Sequence, residues 1–70
     1  MVKAGIYKHY KGALYKVMHV VRHSETEERL VCYQALYGDY GYWVRPLAMF
    51  EESVVVEGGS VARFALIKED

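Results

Sequence analysis

Seventy residues can enclose one hydrophobic core, and folding at this length removes only roughly 60% of the surface the unfolded chain exposes, so packing must be dense. Hydrophobic residues make up 53% of the chain and include seven Tyr, two Phe and one Trp, a composition that excludes disorder. The formal charge is zero but divided: residues 1–23 carry Lys3, Lys8, Lys11, Lys16 and Arg22 with no acid (+5), whereas residues 24–70 set nine acids against Arg29, Arg45, Arg63 and Lys68 (−5).

Taken in chain order, short runs of apolar and β-prone residues are broken by polar or glycine-containing stretches, the spacing of an all-β fold. Gly5 to Tyr10 reads as a first strand, Lys11-Gly12 as a turn, and Ala13 to Arg22 as a longer strand that closes a hairpin. His23 to Arg29 is polar throughout and reads as a connection. Leu30 to Tyr37 resumes as a strand whose alternation separates Val31, Tyr33, Ala35 and Tyr37 from Leu30, Cys32, Gln34 and Leu36, with both faces apolar enough to be buried. Gly38-Asp39-Tyr40-Gly41 has the composition of a tight turn, and Tyr42 to Arg45 follows as a fourth strand. Pro46 ends that strand and favours the first turn of a helix, so residues 46–50 should form one helical or 3-10 turn. Val54 to Val56, a turn at residues 57–60, and Val61 to Ile67 make a last hairpin.

These elements predict a mostly β fold: a small SH3-like, strongly bent antiparallel barrel of five to six strands, closed at one end by the helical turn. The rival arrangement is an open sheet that pairs with a second copy, because an exposed edge and apolar face need covering. No apolar run reaches the ~18 residues of a membrane span. The lysine-bearing start lacks a secretory apolar stretch, and the lone Cys32 cannot close an internal disulfide. The expectation is one cytoplasmic domain over residues 1–70, with its core at about 5–67 and no membrane partner.

Several uncommon short motifs stand in fixed order: Gly5-Ile6-Tyr7-Lys8-His9-Tyr10-Lys11-Gly12, Arg22-His23-Ser24-Glu25-Thr26, Leu36-Tyr37-Gly38-Asp39, Trp43-Val44-Arg45-Pro46 and Met49-Phe50. In order and spacing they resemble the bacterial domain of unknown function 1653 family over about residues 5–66. The resemblance implies a small stand-alone bacterial protein. It implies no particular activity, substrate or catalytic residue.

The residues themselves offer three functional readings. The leading one is a non-catalytic binding or protein-interaction module with an aromatic groove. The tyrosines exceed what so short a core needs, and Tyr37, Tyr40, Tyr42 and Trp43 surround a glycine turn where rings can stack on a ligand. His23, Glu25, Asp39 and Arg45 would supply polar recognition. Arg45 lies between apolar neighbours, where a guanidinium needs a carboxylate; Asp39 or Glu25 would serve, unless Arg45 grips an anion on a ligand. The bland counterpart is that the tyrosines pack across strands with hydroxyls at the rim.

A second reading is nucleic-acid binding, with Lys3, Lys8, Lys11, Lys16 and Arg22 on phosphates and tyrosines stacking on bases. Zero net charge weighs against it. A third is a small hydrolase-like enzyme or enzyme subunit centred on His23, with Ser24 and Glu25 beside it. Adjacent strand residues point to opposite faces, so a hydrogen-bonded turn in which Ser24 and Thr26 satisfy backbone amides is the simpler account. His9, His19, His23 and Cys32 lack the paired spacing of a metal site, and Cys32 reads as a small buried hydrophobe. No cofactor is expected; the partner would be a protein, a small ligand, a nucleic acid or a second copy.

Overall fold

A computed structural model describes residues 2–70. Seven strands and one short helix follow in the order β1 (Gly5–His9), β2 (Leu14–Arg22), β3 (Arg29–Ala35), β4 (Tyr42–Pro46), α1 (Leu47–Phe50), β5 (Ser53–Val56), β6 (Gly59–Ala62) and β7 (Phe64–Glu69). They form a five-stranded antiparallel sheet of order β4-β3-β2-β1-β7 and a separate β5-β6 hairpin.

Alternation sets which side chains meet. In β3, Val31, Tyr33 and Ala35 are buried, whereas Leu30, Cys32 and Gln34 on the other face are half-buried. The register Val17↔Tyr33 then shifts by one residue, so that Val20 pairs with Val31. That irregularity lets both Val17 and Val20 face inward. Tyr7, Val17, Val31, Tyr33, Phe50 and Phe64 make up the core. The Phe50 and Phe64 rings lie parallel with centroids 4.2 Å apart, and Tyr7 meets Phe50 edge-on at 5.4 Å. Each such ring contributes about 1.5–3 kcal/mol by leaving water. Pro46, with φ −51°, turns the chain out of β4 into α1, which lies against β3 and β4 and delivers Phe50 to the core.

The expected small antiparallel β fold with one helical turn after Pro46 is what forms, but the sheet stays open and leaves β4 and β7 as edges. The expected final strand also divides in two at Arg63. Its amide donates to the Glu52 carbonyl at 3.0 Å, and its carbonyl accepts from the Tyr10 amide at 2.9 Å. One residue thereby serves both sheets: β6 turns back on β5, while β7 runs beside β1. Closure of β1 against β7 depends on Gly5, whose φ is +152° and where any Cβ would collide with the Lys68 carbonyl. Cys32 departs from its expected place: it is half-buried on the outward face and not part of the core. The second face of β3, expected to be buried, is covered only in part, with Leu30, Cys32 and Gln34 half-buried.

Candidate functional site

Successive inward positions of β2, β3 and β4 form a row of large polar-tipped side chains. The pairings Val17↔Tyr33, Tyr15↔Ala35, Tyr33↔Trp43 and Val31↔Arg45 put Tyr15, Tyr33, Trp43 and Arg45 on one face. Tyr37, just beyond β3, joins them, and the five line an open cleft of about 210 Å³. Tyr15 is its hub. Its ring meets Tyr33 at 5.4 Å, Tyr37 at 5.6 Å and Phe64 at 5.7 Å, each edge to face, and its hydroxyl lies 2.9 Å from that of Tyr37.

Arg45 crosses the cleft half-buried. Its guanidinium carbon stands 5.5 Å from the Phe64 ring centroid, and Nε donates to the Tyr33 hydroxyl at 3.5 Å. The carboxylate expected for it does not come. Asp39 Oδ1 instead accepts the Gly41 amide at 3.1 Å, and Glu25 sits exposed in the β2–β3 turn. Among the described residues the ion pairs are Lys3–Glu69 at 3.5 Å and Arg22–Glu27 at 3.6 Å.

Arg45 and Arg63 have no ion-pair partner among the described residues. His9 packs edge-on against Phe64 at 5.0 Å and beside Tyr10 at 4.6 Å, and its Nδ1 accepts the Lys11 amide at 3.2 Å. Burial holds its pKa below the ordinary histidine value, helped by the charges of Arg63, Arg45 and Lys11. Arg63 Nε is buried with no acceptor. The Tyr15 phenol is pushed up to about 12, first by burial and then by its hydrogen bond with Tyr37. At neutral pH it keeps its proton and is a donor rather than a base.

Of the site residues expected from sequence, the fold unites Tyr37, Trp43 and Arg45. His23 and Glu25 are carried to the opposite end of the β2–β3 hairpin, where Arg22 pairs with Arg29. There His23 Nδ1 accepts the Glu25 amide at 3.1 Å and the Thr26 amide at 3.4 Å, and Thr26 Oγ1 accepts that of Glu28 at 3.2 Å. This is the hydrogen-bonded turn expected of the segment, with His23 in the role foreseen for Ser24. Tyr40, at φ +56°, is exposed in the loop and gives its carbonyl to Gln34 Nε2. Tyr42 alternates to the outward face.

The basic set is dispersed. Lys8 and Lys16 alternate with Tyr7 and Tyr15 and so stand on the outward face, away from the aromatic row. Lys3 and Arg22 are ion-paired, and Lys11 Nζ lies 5.8 Å over the Tyr10 ring. His19 faces outward opposite Cys32, far along the hairpin from His9. Tyr15 and Tyr33 belong to the site but were not singled out beforehand. The signal that finds Tyr33 is the alternation already legible in β3, which sets it in line with Tyr37, whereas Tyr15 joins only through the register of β2 on β3.

The sequence profile of the DUF1653 family, described as a protein of unknown function, matches residues 5–66. The fold is similar to the crystal structure of a DUF1653 protein from Bordetella bronchiseptica, with 34% sequence identity and a TM-score of 0.89. That match covers 99% of this chain and 91% of the other. No curated protein matches.

Proposed function

This chain belongs to the DUF1653 family, and we propose that it is a non-catalytic binding module whose ligand, or a side chain of a partner protein, enters the cleft of Tyr15, Tyr33, Tyr37, Trp43 and Arg45. The observation that carries this reading is Arg45. Its guanidinium makes one hydrogen bond, at 3.5 Å, and no ion pair among the described residues, and its other N–H groups are not buried, so they are open to an acceptor on a ligand. The aromatic walls supply apolar contact and ring faces around it. Tyr15 keeps its proton at neutral pH and so offers a hydrogen-bond donor to a ligand.

Trp43, the one tryptophan of the chain, is 60% exposed at the rim and reports on occupancy. Titrating a panel of ring-bearing fragments, sugars and short peptides against its emission should find saturable binders that Tyr37→Ala and Arg45→Met weaken. Binders that both variants leave untouched would refute the assignment. Association with a second copy is supported separately by the open sheet, whose edge strand β4 also exposes Tyr42 and Val44 on its outer face. Light scattering at several concentrations tests it, and a constant monomer mass would remove it.

A further inference from the structure

The polar atoms of the cleft form an unbalanced set. Arg45 has five N–H donors, and among the described residues only Nε has a partner, the Tyr33 oxygen. Tyr33 accepts that bond and keeps its own O–H to donate. Tyr15 and Tyr37 hold two protons and spend one on their mutual bond, so whichever donates, the other still has an O–H to offer. The Trp43 indole is a donor only. Asp39 lies outside the lining and accepts the Gly41 amide through Oδ1. The lining thus presents spare donors and contains no carboxylate. Its aromatic walls, Tyr15 against Tyr33 and Tyr37, are set edge to face. At about 210 Å³ it is smaller than the ~300–1,000 Å³ pockets that enclose drug-sized ligands, and it has room for one ring with a short acidic substituent.

From this geometry we infer that the cleft takes a small planar anion, a carboxylate or phosphate carried on a single flat ring, with the acidic group on the Arg45 guanidinium and the tyrosine hydroxyls. The inference rests on the cleft being a binding site and adds the chemistry of what fills it. The anion completes the bidentate donor set of Arg45, which a lysine would not reproduce. It also acts at a distance. His9, packed among Tyr10, Tyr15 and Phe64, feels the charges of Arg63, Arg45 and Lys11, and an anion on Arg45 offsets part of that repulsion. Occupancy raises the His9 pKa part of the way to 6.5, the burial component remaining, and by reciprocity binding tightens as pH falls through that range.

The test is an amide and imidazole NMR titration of the labelled protein with benzoate, phenyl phosphate, neutral benzamide and acetate. Benzoate or phenyl phosphate should shift the amides of Tyr15, Tyr33, Tyr37, Trp43 and Arg45 with at least tenfold higher affinity than benzamide or acetate. Whichever of the two binds better identifies the acidic group. Saturation should move the His9 titration upward, and Arg45→Met should reduce benzoate to the benzamide level. Benzamide binding as tightly as benzoate, or a His9 titration unmoved at saturation, overturns the anion while leaving the cleft a binding site. Absence of shifts with every probe overturns both. The His9 readout is made on the wild-type protein and decides the matter even if Arg45→Met fails to fold.

Discussion

Replacing Phe64 by alanine tests the core and the floor of the cleft together. The ring is 7% exposed, lies parallel to Phe50 at 4.2 Å, and meets the rings of His9, Tyr15 and Tyr33 at 5.0, 5.7 and 6.1 Å. Truncating a buried phenylalanine costs about 3–5 kcal/mol, because the cavity collapses only in part. A chain of this length is stabilised by roughly 4–10 kcal/mol in total, so the change removes about 30% or more of it. At about 4–8 °C per kcal/mol, Tm should fall by at least ~12 °C. Urea and thermal unfolding followed by far-ultraviolet circular dichroism measure both quantities. The milder Phe64→Leu and Phe50→Leu pair, run as a double-mutant cycle, should show a coupling of about 0.5–1.5 kcal/mol from the stacked rings. A loss below ~1 kcal/mol for Phe64→Ala, or no coupling in the cycle, would refute the packing described for these two residues.

Arg45→Met keeps the long stem over Phe64 and removes only a cation–π contact and a long hydrogen bond, so its stability should stay within about 1 kcal/mol of wild type; a loss above ~2 kcal/mol in urea would mean that Arg45 is structural. Tyr37→Phe should let Tyr15 ionise below the present value of about 12 while staying above 10, since burial remains the larger cause; ultraviolet phenolate titration reads this directly. Because the folded Tyr15 holds its proton more tightly than the unfolded chain does, its contribution to stability is complete below pH 10 and declines between 10 and about 12. His9 has the opposite sign: the folded state binds its proton less readily, so stability falls as pH drops below 6.5, and His9→Gln should flatten that slope in urea denaturation. His23→Ala should cost about 1 kcal/mol through the amides it leaves without an acceptor and leave benzoate binding unchanged, as Trp43 emission would show.

Much of this fold was legible because its signals are local. Pro46 announced the turn into α1, the polar run from His23 marked the β2–β3 connection, and the alternation of Val31, Tyr33 and Ala35 gave the inward face of β3. The division at Arg63 was not legible. No glycine or proline marks it, and it arises from hydrogen bonds to Glu52 and Tyr10, residues far apart in sequence. The choice between a closed barrel and the rival open sheet was not legible for a similar reason, since it is decided by where β7 docks and that depends on the glycine at position 5 accepting a close neighbour. At the site, the weight given to aromatic crowding near Gly38 to Gly41 found Tyr37 and Trp43 and overshot to Tyr40 and Tyr42, which alternation and the loop turn away. Tyr15 was missed because its membership depends on cross-strand register. The His23 to Thr26 motif, the most unusual polar stretch in the chain, is absorbed by the turn it builds.

The central claim is that the inward aromatic cleft, and not the outward face bearing Lys8 and Lys16, is the binding surface. Mapping backbone amide shifts during parallel titrations with benzoate and with a short single-stranded oligonucleotide tests it most directly. The account predicts saturable shifts confined to Tyr15, Tyr33, Tyr37, Trp43 and Arg45 with benzoate, and no saturable response to the oligonucleotide. Shifts centred on Lys8, Lys16 and their outward neighbours, saturating with the oligonucleotide and fading steeply with added salt, would contradict it.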